Sequence, residues 1–285
     1  MDAPGVHERF AGLERLYGRG ALEVLGGLRV AVVGLGGVGS WAVEALARTA
    51  VGRLCLIDHD TVSPANANRQ LPALDGSFGR KKFEVLAARV AAIQPGCEVE
   101  VIDDFLTLDN LGEHLDPARG FDYVIDAIDS ITFKAGLIHH CRRNRIPVVT
   151  TGGAGGCTDP TLVHVRDLSR TYNDPLAAKV RSRLRERYGF SRNPRRRFGV
   201  ECVFSSQQPV YPRPDGSVGH EKPGIHGVHL DCSLGYGAAT HVTAVFGMFA
   251  ASRVINRSLG RRMPRGGVPV EAQAPAGGRH RVRMR

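Results

Sequence analysis

The sequence predicts an α/β fold: a doubly wound, mainly parallel sheet with helices on both faces and a C-terminal elaboration. Three observations predict it. Arg29–Val33 is a near-continuous apolar run, as expected of a strand covered on both faces. That run enters Gly34-Leu-Gly-Gly-Val-Gly39 and then a helical stretch, the Rossmann-like turn in which glycines let the backbone approach a phosphate at a helix N-terminus. Short apolar strands then alternate with helical stretches as far as residue 151, the rhythm of parallel β-α-β units.

In chain order, residues 7–25 carry a helical apolar pattern (Phe10, Leu13, Leu16, Tyr17, Leu22, Leu25) ahead of the first strand. The helix after the glycine turn runs through Ala50, and a second strand, Leu54–Ile57, ends at Asp58. A polar loop through Gly76 leads to a helix from about Gly79 to Ile93. Val99–Ile102, Tyr123–Ile125 and Val148–Thr151 are further strands with helices between them. After Gly152-Gly-Ala-Gly-Gly156 the rhythm changes: Thr161–Val165 reads as a strand. Asp174-Pro175 then opens a helix to Arg187, with Asp as N-cap and Pro in the first turn. Ser191–Phe198 is a loop with four arginines, and Pro209–Lys222 is rich in turn residues.

Ser233–Ser252 contains no Asp, Glu, Lys or Arg, which a hydropathy window could flag as a membrane span. Its glycines, Thr240, His241 and Thr243 instead suit a helix buried in an α/β core. No stable membrane insertion is expected. Residues 1–260 are expected to form one nucleotide-binding domain and residues 261–285 a basic, disordered tail. The tail holds seven arginines against one acid, Glu271, and so carries more than half of the formal charge of +10. A near-balanced body with a basic tail suits a polyanionic partner.

Six cysteines without a Cys-x-x-Cys pair argue against a zinc knuckle and a disulfide framework. With no apolar signal core in Met1–Phe10, they predict a cytoplasmic protein.

The candidate site gathers along the carboxyl ends of the strands. Gly34, Gly36, Gly37 and Gly39 form the turn, and Asp58 at the end of the second strand can hold ribose hydroxyls. At this point a dinucleotide and ATP are both open. Asp60-Thr-Val-Ser-Pro-Ala-Asn-Ala-Asn-Arg-Gln70 then adds a carboxylate (Asp60), amides (Asn66, Asn68, Gln70) and a guanidinium (Arg69). Lys82 follows at a helix start, and Asp129 closes the fourth strand where a carboxylate can hold Mg²⁺. Cations and a metal carboxylate around a glycine turn suit attack at phosphorus, whereas hydride transfer needs none of them. Singly, each has a plainer reading: Arg69 a surface ion pair, Lys82 a solvated helix residue, Asp129 an N-cap.

These residues resemble the ubiquitin-activating, ThiF-like superfamily of carrier-protein adenylating enzymes. The likeness lies in Val33-Gly-Leu-Gly-Gly-Val-Gly-Ser40, Leu56-Ile-Asp-His-Asp60, Asn66-Ala-Asn-Arg-Gln70 and Asp126-Ala-Ile-Asp129. Within that superfamily, longer runs are similar to the tRNA threonylcarbamoyladenosine dehydratases: Arg15-Leu-Tyr-Gly18, Cys141-Arg-Arg-Asn144, Thr150–Gly156, Asp174–Lys179, Cys202–Ser205, Asp231-Cys232 and Gly237–Thr240. The likeness covers about Arg9 to Arg257, while the arginine-rich extension is unexplained by it.

The resemblance implies ATP and Mg²⁺ as cofactors, with Asp58 on the ribose, Asn66, Arg69 and Lys82 on the phosphates, and Asp129 on the metal. It implies a homodimer in which an N-terminal arginine, Arg9 or Arg15, reaches the partner's site. It also implies the anticodon arm of tRNA as substrate, met by Arg142, Arg143, Arg145, the 192–197 loop and the tail. A sulfur-relay protein is a further implied partner, and a monovalent cation a further candidate cofactor whose site the spacing does not fix. The implied reaction is adenylation of the threonyl carboxylate, then ring closure with net loss of water. Cys232 has two readings, an acyl-accepting thiolate or a small buried residue. Arg181, Arg183, Arg185 and Arg187 alternate along one helix and read as a solvated face. Competing readings are a carrier-protein adenylyltransferase, disfavoured by the missing zinc cysteines, and an NAD-dependent oxidoreductase.

Overall fold

The computed structural model describes residues 5–221 and 237–263. Its centre is a seven-stranded sheet built from β1 (Arg29–Val33), β2 (Arg53–Ile57), β3 (Glu98–Ile102), β4 (Tyr123–Asp126), β5 (Val148–Thr151), β6 (Val163–Asp167) and β7 (Glu201–Ser205). The order is β3-β2-β1-β4-β5-β7-β6. All neighbours run parallel except β6, which lies antiparallel to β7 at the edge.

Side chains alternate across the strands, so each contributes to two cores. Val30, Val32, Leu54, Leu56, Ile125 and Val203 face one layer, formed with α2 (Ala21–Gly26), α3 (Gly39–Ala47), α4 (Lys82–Ile93) and α8 (Thr240–Arg262). Ala31, Val33, Cys55, Ile57, Val124 and Phe204 face the other, formed with α5 (Leu111–His114), α6 (Ile131–Arg143) and α7 (Pro175–Arg187). The order reverses between β1 and β4, the topological switch point where the carboxyl ends open a crevice.

The N-terminal pattern forms two helices, not one: α1 (Val6–Tyr17) and α2. Gly18 (φ +96°) and Gly20 (φ +90°) turn the chain between them, a left-handed conformation that no continuous helix contains. The stretch expected as a strand from Thr161 begins with one 3₁₀ turn, Pro160–Leu162, capped by the Asp159 carboxylate, so pairing starts only at Val163. Asp174 caps α7 as expected, accepting from the Ala177 N–H at 2.9 Å. The turn-rich segment holds one small hairpin, β8 (Tyr211–Pro212) with β9 (Val218–Gly219).

From Thr240 onward the uncharged segment forms the start of α8, whose long apolar stripe lies buried against α3. At Gly247 a β-carbon would sit 2.4 Å from the Val38 carbonyl oxygen and 2.9 Å from Trp41 Cβ, so glycine is what lets the two helices cross this closely. Among the described residues no helix is long and apolar enough to cross a membrane. The same helix runs past Gly260 to Arg262, which pairs with Asp122 beside the amino end of β4. The expected boundary at residue 260 therefore falls inside a helix, while residues 264–285 lie outside the described chain.

Candidate functional site

The glycine turn sits at the carboxyl end of β1. Gly34 takes φ +85°, and its carbonyl oxygen would lie 1.8 Å from a β-carbon on Gly39. Ser40 at the start of α3 donates from N and Oγ to Gly36 O, at 3.1 and 2.6 Å. The turn is thus closed by backbone and one small hydroxyl, leaving room for a ligand against the glycines.

Three elements bring polar groups onto it. From β2, Asp58 accepts from the Leu35 N–H at 2.5 Å and the Asp60 N–H at 2.8 Å, so one carboxylate joins the turn to the loop. From α4, the ammonium of Lys82, itself 4% exposed, meets Asp60 Oδ2 at 2.7 Å. The third element is the loop between them. The Arg69 stem lies over Gly37, with Cγ 3.2 Å from where a β-carbon would be. Its Nη1 donates to Ala65 O at 3.0 Å and to Asn68 Oδ1 at 2.9 Å. The loop is pinned from behind: Trp41 Nε1 donates to Arg69 O at 3.1 Å and Thr240 Oγ1 to Asn68 O at 2.6 Å.

Gln70 completes this wall. Its side chain is buried, its Nε2 faces Gly36, and its Oε1 has no hydrogen-bond partner among the described residues. A buried acceptor without a donor costs on the order of 1–3 kcal/mol, and beside a phosphate-type turn it fits an N–H or O–H group of a bound nucleotide. The β4 end closes the other side, because a β-carbon on Gly34 would stand 2.9 Å from Ala127 O.

Known proteins are similar to this chain in sequence and fold. A family model described as ThiF family matches residues 8–285. The chain is 49% identical over 260 residues to the tRNA threonylcarbamoyladenosine dehydratase of Escherichia coli, spanning 91% of this chain and 96% of that one. It is 42% identical over 207 residues to the Bacillus subtilis protein of the same name, spanning 73% and 78%. The solved Escherichia coli dehydratase in complex with ATP superposes with a TM-score of 0.80 at 46% identity, over 92% of this chain and 98% of that one.

The chain belongs to the ThiF family, within its tRNA threonylcarbamoyladenosine dehydratase branch.

In this ThiF-family chain the structure joins Gly34, Gly36, Gly37, Gly39, Asp58, Asp60, Arg69, Gln70 and Lys82 around one turn. Asn66 is partly spent on the loop itself: its Oδ1 accepts from the Ser63 N–H at 3.0 Å, leaving the amide nitrogen to donate outward. Asp129 is exposed and has no side-chain partner among the described residues. It is not an N-cap, since Ser130 holds that position of α6.

Arg9 and Arg15 stand apart from the turn of their own chain. Arg9 donates to Ile93 O at 2.9 Å and Ala92 O at 3.3 Å, at the far end of the helix that Lys82 begins, about 16 Å away at 1.5 Å per residue. Arg15 is exposed on α1 beside Leu16, whose side chain is 70% exposed.

Cys232 lies outside the described residues. The described cysteines are thiols rather than thiolates: burial pushes Cys55 up to about 12 and Cys97 to about 11, and raises Cys141, Cys157 and Cys202 as well.

A polar network under the site was not read from the sequence. Asp126, fully buried, accepts from Lys134 Nζ at 2.9 Å and Thr150 Oγ1 at 2.6 Å, and Lys134 is itself 2% exposed. It anchors the turn carrying Asp129 to β5 and α6. Lys134 falls on the apolar stripe of α6 with Leu137, Ile138 and Cys141. A lone cation on a buried stripe was the available signal.

Proposed function

We propose that this chain adenylates the threonine-derived carboxylate of threonylcarbamoyladenosine at tRNA position 37 and then closes the ring. The observation that carries the reading is the convergence of Asp58, the Lys82–Asp60 pair, Arg69 and the unpartnered Gln70 oxygen on one glycine turn. Two cations and a row of backbone N–H groups favour a triphosphate there.

Asp58 is placed to take ribose hydroxyls with its remaining lone pairs. Arg69 and Lys82 are placed to hold the phosphates, Lys82 exchanging Asp60 for a phosphate oxygen, with the Asn66 amide as a further donor. Asp129 fits Mg²⁺, a hard cation that takes one or two carboxylates and otherwise keeps water and phosphate oxygens. Bound there it would neutralise charge on the leaving pyrophosphate. The carboxylate oxygen attacks the α-phosphorus and pyrophosphate leaves, giving an acyl-adenylate. The carbamoyl group of the same nucleoside then attacks the activated carbonyl and AMP departs, so the nucleoside has lost one water in total. Ring closure within one nucleoside has a high effective molarity and needs no acyl-enzyme, in keeping with the raised thiol pKa values of the described cysteines.

The exposure of Arg15 beside Leu16, with Arg9 already tied to α4, favours Arg15 as the arginine that enters the partner's site in a homodimer. The test is incubation of the purified chain with ATP, Mg²⁺ and threonylcarbamoyl-tRNA, followed by mass spectrometry of the nucleoside. Loss of one water is expected, with Arg69→Ala abolishing it. An unchanged nucleoside, with pyrophosphate exchange supported instead by a small carrier protein, would overturn the substrate assignment.

A further inference from the structure

The helix expected to be a uniformly solvated basic face is not uniform. Packing sorts the cations of α7 into two groups. Arg181 donates to Thr171 Oγ1, and burial, with Arg185 nearby, holds its guanidinium below its ordinary pKa. Arg185 lies over the Phe198 ring at 5.4 Å and donates to Ser191 O at 3.4 Å. These two hold α7 to the segments on either side of it.

Lys179 and Arg183 lie on a different stripe. With Ser182 and Glu186 they occupy positions i, i+3, i+4 and i+7, one face of a helix. Together with Ala178 and Ile131 they line an open groove of about 340 Å³ between α6 and α7, within the lower range of ligand clefts. Arg187, exposed, extends the same stripe by one turn. Neither Lys179 nor Arg183 has a hydrogen-bond or ion-pair partner among the described residues. Glu186 is the acid on the groove wall, outnumbered by the cations. The groove reaches Ile131, two positions after Asp129 in the chain, so it opens beside the proposed reaction centre.

Resting on the function proposed above, we propose that this groove holds the sugar–phosphate backbone of the RNA substrate, gripped by Lys179 and Arg183. Residues at i and i+4 of a helix stand about 5–6 Å apart, close to the step between successive phosphates of a nucleic-acid strand. Ile131 and Ala178 supply an apolar floor against which a sugar can rest. The groove lies on the α6/α7 face of the sheet, so the RNA approaches over that face and delivers its modified nucleoside to the Asp129 side of the glycine turn.

The experiment measures binding of threonylcarbamoyl-tRNA, with a non-hydrolysable ATP analogue present, over a series of salt concentrations. For Lys179→Ala/Arg183→Ala the affinity falls about tenfold or more near 0.15 M salt. The slope of log K against log[salt] becomes shallower by about 1.4–1.8, since each lost phosphate contact accounts for about 0.7–0.9. Analogue affinity stays at the parent value, which also reports an intact fold. The single variant Lys179→Ala, at an exposed position, shows about half the change in slope. A control pair at the amino end of the sheet, Arg19→Ala/Arg53→Ala, leaves both quantities unchanged. Parent-like affinity and slope in the double variant overturn the groove assignment alone, as does an equal loss in the control pair. Loss of a protein partner's binding with RNA affinity kept assigns the groove to that partner and overturns it too. Absence of tRNA binding by the unaltered chain overturns the substrate reading together with this one.

Discussion

Lys134→Met tests whether the buried pair beneath the site holds it in place. The substitution keeps the length of the side chain and removes the ammonium that meets Asp126 at 2.9 Å. Asp126 has no solvent access, so its carboxylate would be left buried with Thr150 Oγ1 at 2.6 Å and the Ile128 N–H at 3.2 Å as its remaining donors. Breaking a buried pair by removing one partner costs about 3–5 kcal/mol, and these two donors place the expected loss near the lower end, about 3 kcal/mol. At roughly 2–4 °C per kcal/mol for a domain of this size class, the melting temperature should fall by about 6–12 °C. Scanning calorimetry of Lys134→Met, Asp126→Asn and the double variant measures it. The double variant should recover much of the loss, because the neutral amide no longer needs a counter-charge. A Lys134→Met protein melting within about a degree of the parent, or single losses that merely add, would refute the claim that these groups act as one unit.

Gly39→Ala places a β-carbon 1.8 Å from the Gly34 carbonyl oxygen; the turn must open, and ATP affinity measured by titration calorimetry should drop at least tenfold. Lys82→Met removes the buried cation proposed to hold the phosphates, with an expected fall in turnover of about 10²-fold, the size of losing one transition-state charge contact, read in single-turnover assays with ATP saturating. Glu201 accepts from Arg253 and Arg257 at 2.6 and 2.7 Å. Burial pushes its carboxyl up, but the two guanidiniums outweigh that and hold it below its ordinary 4.5. A depressed folded-state pKa contributes stability above the unfolded value that is lost as pH falls through the folded one, so Glu201→Gln should flatten the loss of melting temperature below about pH 4.5, and an unchanged acid limb would contradict the assignment.

The residues that meet at the glycine turn were legible because their chemistry is local. Glycines that must form a tight turn, an acid at a strand end and a cation at a helix start each announce themselves within a few positions. The positions of β1, β2, β4 and β5 along the chain followed from apolar runs of strand length. The breaks at Gly18 and Gly20 were harder to place, since a helical apolar period continues across them, and only the left-handed backbone shows where the helix stops.

What the sequence by itself determined is the inventory: an α/β alternation, a phosphate-type turn, and the charged groups available at the strand ends. Tertiary structure decided which of them meet. The reversal of strand order between β1 and β4 brings Ala127 against Gly34, and α8 packing on α3 through Gly247 pins the loop that lays Arg69 over Gly37. Pairings such as Lys134 with Asp126, or the sorting of α7's cations into half-buried anchors and a stripe unpaired among the described residues, depend on which face of a helix meets its neighbour. That is settled by the packing of whole layers rather than by any short run of residues, which is why spacing alone read α7 as one solvated face.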